Sequence, residues 1–270
     1  MDSNRHTAYD APTSAGYAEV DDRAGWALGY PFALRALGVG GPDAPETVLD
    51  YGCGPGKVAE RVARRHGVRV VAVDPSAEML AIARQRHAHP RVSYLRVPEN
   101  QPTSLPDESV DAAMTCFVLV VVPSRAQLGD IVAEVWRVLR PGGRFVILDP
   151  HPDHVGVQFS SFRSGEPGVT YQDGDPRRAR LLLTTGEWLE LQDYFWSART
   201  YEEILSDVGF IELRPEAPLL AEASGLADPT DLEAWDYQME RRRPPFLLLH
   251  GRKPVGAAGS AAGGSGTARC

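Results

Sequence analysis

Three glycines on alternate positions give the sequence its clearest chemical signature. They are Gly52, Gly54 and Gly56. A short apolar run that carries Asp50 precedes them, and apolar residues with helical spacing follow from Lys57. Glycine lets the chain turn sharply, and its missing side chain lets a ligand lie against bare backbone. Because the free N–H groups at a helix start would face that ligand, the pattern predicts a nucleotide-binding loop.

A second carboxylate closes the next apolar run. Asp74 ends the stretch 70–74, which predicts a buried strand, and it lies 18 residues beyond Gly56. An acid at about this distance binds ribose hydroxyls in doubly wound sheets. The alternative is a helix cap, because Asp-Pro-Ser starts helices well. The glycine spacing differs from both the G-x-G-x-x-G dinucleotide pattern and the phosphate-binding P-loop.

Four segments in order resemble the class I S-adenosyl-L-methionine (SAM) methyltransferases. Residues 49–56 and 73–80 are similar to the first two motifs of that family, and residues 105–112 and 138–144 to later ones. The resemblance implies a methyltransferase that uses SAM and releases S-adenosyl-L-homocysteine. The alternative is a Rossmann-like fold whose nucleotide site is different, because a fold does not by itself fix a function.

The resemblance also implies roles for single residues. Asp50 would organise the glycine loop, or would only cap the turn, and Asp74 would accept hydrogen bonds from the ribose. Met79 would lie against the adenine unless it is an ordinary core residue. The family's acid after the third strand is missing, so Glu99 or Asn100 would take its place. The candidate cofactor-binding residues are Asp50, Gly52, Cys53, Gly54, Gly56, Asp74, Pro75, Met79, Glu99, Asn100, Cys116 and Phe117.

Methyl transfer itself asks little of the side chains. The reaction is an in-line displacement at carbon, so the protein mainly aligns the nucleophile with the methyl group. A base is needed only when the acceptor must lose a proton. His151 is the leading candidate because histidine titrates near neutral pH, and the alternative is a capping or surface histidine. Tyr9 is the second catalytic candidate. No metal cluster is visible, so no divalent ion is expected.

Strands and helices alternate through the middle of the chain. The predicted strands are 47–51, 69–73, 92–97, 110–116, 143–149, 210–213 and 246–250, and the predicted helices are 57–66, 76–88, 125–139 and 200–208. Alternation of this kind predicts a parallel α/β sheet with helices on both faces. Together with the resemblance, it implies a Rossmann-like sheet of seven strands whose last strand is antiparallel.

Composition and pattern divide the chain into three parts. We expect an N-terminal cap segment at 1–45, a methyltransferase domain at 46–253 and a flexible Gly/Ala/Ser tail at 254–270. Within the domain, residues 150–199 interrupt the alternation with two strands around a Thr/Gly turn. We interpret this insertion as a substrate lid, with a sheet extension or a dimer contact as the alternative. The candidate substrate-binding residues are Tyr17, Tyr171, Tyr194 and Trp196.

Net charge, cysteine content and hydropathy limit the classes of binding partner that we expect. The 270-residue chain carries a net charge of −8 and no long basic run, which disfavours nucleic acids and anionic membranes. Its three cysteines suggest neither a metal site nor a disulfide framework. We see no signal peptide and no apolar run long enough to cross a bilayer. We therefore expect a cytoplasmic monomer or homodimer that acts on a small molecule.

The aromatic residues of the cap segment and insertion suggest the substrate. We expect an aromatic or heteroaromatic natural product that accepts the methyl group on nitrogen or carbon. Residues 194–201 and 208–210 loosely resemble toxoflavin-type N-methyltransferases. The alternatives are O-methylation of a small phenol and a SAM-binding enzyme or regulatory module that does not methylate. High Ala, Arg, Gly and Pro usage suggests a bacterial source and secondary metabolism.

Overall fold

A seven-stranded sheet organises the part of the chain that the computed structural model describes, residues 10–98 and 101–255. The strands are β1 Thr47–Tyr51, β2 Arg69–Asp74, β3 Val92–Arg96, β4 Val110–Cys116, β5 Leu139–Pro150, β6 Phe162–Ser164, β7 Pro176–Leu182, β8 Trp188–Tyr194, β9 Ile211–Glu216 and β10 Phe246–Arg252. The helices are α1 Ala11–Ala18, α2 Arg23–Leu28, α3 Tyr30–Leu37, α4 Lys57–His66, α5 Ala77–Arg86, α6 Arg125–Val138, α7 Ala198–Val208 and α8 Pro229–Leu232.

The strands of the main sheet follow the order β3-β2-β1-β4-β5-β10-β9. Strands β1 to β5 pair in parallel, whereas β10 is antiparallel to both β5 and β9. This topology confirms the predicted Rossmann-like sheet with an antiparallel last strand. The strand order reverses between β1 and β4, and ligands of such sheets bind in the crevice beyond the carboxyl ends of the strands at this point.

Two apolar cores cover the two faces of the sheet. On one face, α3 and α4 bury residues such as Leu34 and Val62. On the other face, Leu128, Val132 and Val135 of α6 are completely buried. These α6 residues belong to the amphipathic stripe that the sequence predicts, because they recur at helical spacing on one side.

Two strands extend further than their sequence patterns indicate. Strand β5 begins at Leu139, four residues before the predicted start. Its Pro-Gly-Gly sequence is typical of a turn, but Gly142 and Gly143 exchange backbone hydrogen bonds with Lys253 and remain in the sheet. Strand β9 continues through Pro215 because it lies at the edge of the sheet, where a missing N–H donor is tolerated.

The sequence does not predict helices α1 to α3 of the N-terminal segment. Helix α2 is buried on every side from Ala24 to Leu28. A helix without an exposed face has no polar stripe, so it lacks the periodic pattern by which helices are recognised. Asp10 caps α1 by accepting a hydrogen bond from the backbone N–H of Thr13 (3.0 Å).

The insertion forms a separate antiparallel sheet in the order β6-β7-β8. The predicted hairpin is confirmed as β7 and β8, while the three residues of β6 are too few for a recognisable pattern. Backbone hydrogen bonds join this sheet to the N-terminal segment. The N–H of Asp21 donates to Leu182 O and the N–H of Thr184 donates to Glu19 O, both at 2.8 Å. The N-terminal segment and the insertion are therefore joined through their backbones.

Residues 217–245 form a connection between β9 and β10 for which the sequence analysis makes no prediction. Its helix α8 packs against α2. Asp231 forms an ion pair with Arg61 of α4, and the Tyr237 hydroxyl donates to the backbone oxygen of Asp231 at 2.6 Å. Across the described ranges, no helix is both long and apolar enough to span a bilayer.

Candidate active site

The glycine turn joins β1 to α4 in a backbone conformation that favours glycine. Gly52, Gly54 and Gly56 have φ angles of 82°, 51° and 83°. A Cβ on Gly52 would collide with the side chain of Val118, and one on Gly56 would lie 2.6 Å from Tyr94 Oη. Both the left-handed backbone and the close packing therefore exclude a side chain.

Asp74 fastens this turn to the end of β2. Its Oδ2 accepts a hydrogen bond from the N–H of Gly54 (2.8 Å), and its Oδ1 accepts one from the N–H of Ser76 (2.9 Å). Ser76, rather than Asp74, caps α5 by accepting from the N–H of Met79. Burial raises the pKa of Asp74 to about 6 although these two backbone hydrogen bonds lower it.

Asp50 is a buried carboxylate with an unused acceptor. It lies at the end of β1 and is 2% exposed. Its Oδ2 has no hydrogen-bond partner among the described residues. Burial, and secondarily the charge of Asp74, raises the pKa of Asp50 to about 7. Because buried polar groups are normally paired, this oxygen fits a ligand that brings a donor, such as the ammonium group of an amino acid.

A cavity opens directly above these residues. Its walls come from the N-terminal segment, the glycine turn, the segment after β4, the insertion and the start of β10. The lining residues are Tyr17, Val20, Asp21, Asp22, Gly25, Tyr30, Asp50, Gly52, Cys53, Gly54, Pro55, Lys57, Val58, Cys116, Phe117, Val120, Val121, Pro150, Ser161, Phe162, Arg163, Ser164, Ala179, Leu181, Leu191, Asp193 and Phe246.

One wall of the cavity is a row of aromatic rings. The centroids of Tyr30 and Phe117 are 5.9 Å apart, and those of Phe117 and Phe246 are 5.2 Å apart. Phe246 also stacks on Phe162 at 5.2 Å with an interplanar angle of 11°. Phe117 adopts φ 59°, an unusual backbone conformation for a residue other than glycine. The row offers apolar faces and edges to a flat ring.

Tyr17 of α1 covers the glycine turn from the other side. A Cβ built on Gly54 would lie 3.8 Å from Tyr17 Cε1, so the ring is in van der Waals range of the turn. Burial, followed by the charge of Asp74, raises the pKa of Tyr17 to about 12. Its hydroxyl therefore stays protonated near neutral pH.

His151 does not line the cavity, although the sequence analysis makes it the leading base. Its Nδ1 accepts a hydrogen bond from the N–H of Asp153 (3.2 Å) and caps a short 3₁₀ turn. Burial, and then the neighbouring His154, lowers the pKa of His151. The geometry is that of the capping alternative, because β5 ends at Pro150 and the His151 side chain caps the 3₁₀ turn that follows.

Three candidate substrate residues also lie outside the cavity. Tyr171 Oη accepts a hydrogen bond from the N–H of Glu166, and its ring stacks on Phe195. Tyr194 and Trp196 are buried in the core on the α6 and α7 side of the sheet. For Tyr194 the physical reason is strand alternation, since neighbouring residues of β8 point to opposite faces and Asp193 faces the cavity. Of the four candidates, only Tyr17 reaches the lining.

The remaining candidates divide into three groups. Asp50, Gly52, Cys53, Gly54, Cys116 and Phe117 line the cavity. Gly56 belongs to the turn, and Asp74, Pro75 and Met79 lie at or just after the end of β2. None of these four residues lines the cavity, and Met79 is buried. Tyr9, Glu99 and Asn100 lie outside the described residues.

The lining residues that sequence reasoning missed include Tyr30, Phe162, Asp193 and Phe246. One available signal was the i, i+2 spacing of Leu191 and Asp193 in a predicted strand, because this spacing puts both side chains on one face. In the described ranges, no group of three or more His, Cys, Asp or Glu residues is arranged to hold a metal ion.

Comparison with known proteins identifies the family. Residues 48–143 match the family described as a methyltransferase domain. The chain is 37% identical over 254 residues to N-demethylindolmycin N-methyltransferase of Streptomyces griseus, covering 91% of this chain and 99% of that protein. It is 32% identical over 220 residues to trans-aconitate 2-methyltransferase of Azoarcus sp., covering 75% and 81%.

A solved structure agrees with these relatives. The S-adenosylmethionine-dependent methyltransferase from Mesorhizobium loti superimposes with a TM-score of 0.55 at 25% identity, covering 82% of this chain and 95% of that one. The unpaired oxygen of Asp50 and the bare glycine turn are compatible with the amino-acid end of SAM. The chain therefore belongs to the class I methyltransferases, enzymes whose cofactor is S-adenosyl-L-methionine.

Proposed function

We propose that this enzyme transfers the methyl group of SAM to a nitrogen atom of a small aromatic natural product. The observation that carries the proposal is the row of Tyr30, Phe117, Phe246 and Phe162, which faces the same cavity as the glycine turn. Such a row suits a flat ring system. The name of the Streptomyces griseus relative supports nitrogen as the acceptor atom.

We assign the binding of SAM to the carboxyl ends of β1 and β2. Asp50 Oδ2 would pair with the ammonium group, and the backbone of Gly52 and Gly54 would lie against the amino-acid and ribose parts. The carboxylate of Asp74 would accept from the ribose hydroxyls while it keeps its backbone hydrogen bonds. Tyr17 would cover the bound cofactor from above.

The same placement of SAM suggests which residues contact its adenine and its sulfur. Pro75 and Met79 are the candidates on the adenine side because Pro75 directly follows Asp74 and Met79 lies in the first turn of α5. Glu99 or Asn100 would complete that side. Cys116 and Phe117 line the cavity after β4 and would border the reacting methyl group. When bound, SAM supplies a methyl group on a sulfonium that is already an excellent leaving group.

The protein's contribution to the rate is then positioning in a closed space. The N-terminal segment at 1–45 acts as a cap in this proposal, and residues 150–199 act as a lid. Backbone hydrogen bonds between Asp21 and Leu182 and between Thr184 and Glu19 would keep the two together over the acceptor. A closed cover keeps water out and holds the nucleophile at attack distance from the methyl carbon.

The biological setting forms a further part of the proposal. We place the enzyme in the cytoplasm of a bacterium, in secondary metabolism. The two cysteines among the described residues are free thiols, as a reducing compartment requires, and the relative named for a natural product comes from Streptomyces griseus.

The test is product analysis with SAM labelled in its methyl group. The purified enzyme is incubated with N-demethylindolmycin and with a panel of indole amines, phenols and purine-like rings, and products are mapped by mass spectrometry. We expect the label on a nitrogen of an aromatic acceptor. Label on oxygen or carbon would overturn the choice of nitrogen. Label that stays on SAM while a substrate changes would indicate an enzyme that does not methylate.

A calorimetric titration separates failure of the acceptor from failure of the cofactor site. We expect saturable binding of SAM to the folded wild-type chain. Absence of binding to a chain with an intact melting transition would contradict the assignment of the cofactor site, whichever acceptors are tried.

A further inference from the structure

A buried carboxylate lies in the part of the cavity wall that the insertion provides. Asp193 of β8 is 4% exposed and lines the cavity together with Leu191, two positions earlier on the same face of the strand. Asp193 is the only acidic side chain among the described residues of the insertion that line the cavity. Burying a carboxylate costs several kcal/mol unless the group is paired, so we expect partners for it within the insertion.

Two side-chain donors hold the carboxylate, Arg177 from outside the lining and Ser164 from within it. Arg177 Nε donates to Asp193 Oδ1 at 3.0 Å, and Ser164 Oγ donates to Asp193 Oδ2 at 3.1 Å. The side chains of the ion pair are only 2% and 6% exposed. A carboxylate accepts about four hydrogen bonds, so the two donors fix the orientation of the group and leave it able to accept from a ligand.

The rest of the wall defines what that ligand looks like. Phe162 and Leu181 of the insertion also line the cavity, as does Phe246 of β10. An aromatic acceptor packed on these side chains would share the cavity with the Asp193 carboxylate, which accepts hydrogen bonds. A nitrogen that carries a proton is a group on such a ring system that a carboxylate recognises, and the proposed N-methylation makes it the relevant one here.

We propose that Asp193 accepts a hydrogen bond from the N–H of the acceptor nitrogen and takes up its proton on methylation. The inference rests on the proposed N-methylation. The nitrogen lone pair forms the new N–C bond as the methyl–sulfur bond breaks, and the sulfur keeps the electron pair of that bond. The cationic nitrogen then passes its proton to the Asp193 carboxylate, which releases it to water when the product leaves.

Burial supports this role. It raises the pKa of Asp193 above its usual value, although Arg177 and Ser164 lower it. A carboxylate with a raised pKa is a better proton acceptor. Arg177 is then a positioning residue, since it contacts the Asp193 carboxylate but does not itself line the cavity.

Asp22 of the N-terminal segment is the competing acid. It also lines the cavity, but its Oδ2 accepts a hydrogen bond from Trp26 Nε1 (3.2 Å). It raises the pKa of Tyr17 and Tyr30 by its charge, so it lies on the side of the cap. Asp21 beside it is engaged in an ion pair with Arg23. Substituting asparagine for Asp193 and, separately, for Asp22 therefore shows which of the two carboxylates accepts the proton.

The experiment compares carboxylate-to-amide variants with N-demethylindolmycin as the acceptor. For Asp193→Asn we expect a loss of about 100-fold in kcat/KM, in the range for removal of a general base. The affinity for SAM should change less than about threefold. Glu190→Gln is the matched control, because Glu190 is an exposed acid on the same strand, and it should stay within about twofold of wild type. Asp193→Glu, which keeps the carboxylate, should recover part of the loss.

A binding measurement checks the same contact without turnover. N-demethylindolmycin is titrated into the complex of the enzyme with S-adenosyl-L-homocysteine. Asp193→Asn should weaken this binding by about tenfold or more, as expected for a lost hydrogen bond to a charged group. If Asp193→Asn does not fold, the double variant Arg177→Gln/Asp193→Asn removes both charges of the buried pair and takes its place.

The outcomes separate this inference from the proposed function. Full turnover and acceptor binding in Asp193→Asn would overturn the inference and leave N-methylation standing. The same holds if Asp22→Asn shows the large loss instead. A wild-type enzyme that methylates no nitrogen acceptor would overturn the proposed function and the inference with it.

Discussion

Replacing Asp50 by asparagine should make the ligand-free protein more stable at pH 8 and at the same time weaken its binding of SAM. The pKa of Asp50 is raised from 3.8 to about 7 in the folded chain. A shift of this size corresponds to about 4 kcal/mol of free energy by which folding disfavours the ionised form. The proposed ammonium partner would offset this cost only when SAM is bound.

The sign of the pH dependence follows from linkage. Because the folded chain holds the Asp50 proton more tightly than the unfolded chain, wild type loses stability as pH rises from about 4 to about 7. The loss is absent below this window and constant above it. Asparagine does not titrate, so the difference in unfolding free energy between variant and wild type should grow by about 2–3 kcal/mol between pH 5 and pH 8.

Thermal melts of the ligand-free proteins at the two pH values measure this difference. For a chain of this size, 2–3 kcal/mol corresponds to a relative gain of about 4–5 °C for the variant. Calorimetric titration at pH 8 should show SAM binding about 10- to 100-fold weaker, the range for a lost hydrogen bond to a charged group.

Asp149→Asn is the matched control. Asp149 is 1% exposed, its Oδ1 has no partner among the described residues, and burial raises its pKa to about 8. It does not line the cavity. It should therefore show a similar pH-dependent gain in stability with unchanged SAM affinity. A variant at Asp50 whose stability gain is the same at pH 5 and pH 8, or whose SAM affinity equals that of wild type, would refute the reasoning.

Three further substitutions test other parts of the site. Gly52→Ala forces a Cβ into Val118 at φ 82° and should abolish SAM binding, whereas Gly67→Ala, at φ 70° with open space around it, should cost only about 1 kcal/mol of stability; calorimetry and melts check both. Phe162→Ala removes a stacked ring from the cavity wall and should raise KM for the aromatic acceptor about tenfold with SAM affinity unchanged, and an unaltered KM would contradict the aromatic wall. His151→Ala should keep kcat within about threefold because the imidazole caps a turn outside the cavity, whereas a loss of 100-fold or more would restore His151 as the base.

Much of the fold can be predicted from patterns of neighbouring residues in the sequence. The turn at Gly52 to Gly56, the strands on either side of it and helix α6 follow from glycine conformation and from apolar periodicity, both of which act over a few residues. The hairpin of β7 and β8 follows in the same way. Asp50 and Cys116 also end predicted strands, so parallel pairing brings them to one edge of the sheet.

The walls of the cavity depend on information that local pattern does not contain. The aromatic wall is built from four distant segments, which contribute Tyr30, Phe117, Phe162 and Phe246. These residues meet only because the strand order and the packing of the N-terminal segment and the insertion bring them together. Helix α2 escaped prediction because it is buried on all sides and so has no polar stripe.

The sequence alone thus determined the family, the cofactor and the sheet, since motifs and periodicity are properties of neighbouring residues. Only the tertiary structure decided which side chains face the acceptor. Asp193 lines the cavity while Tyr194, the next residue, is buried in the opposite core. Strand alternation fixes that the two point apart, but which face of the strand is covered depends on the packing of the insertion against the rest of the chain.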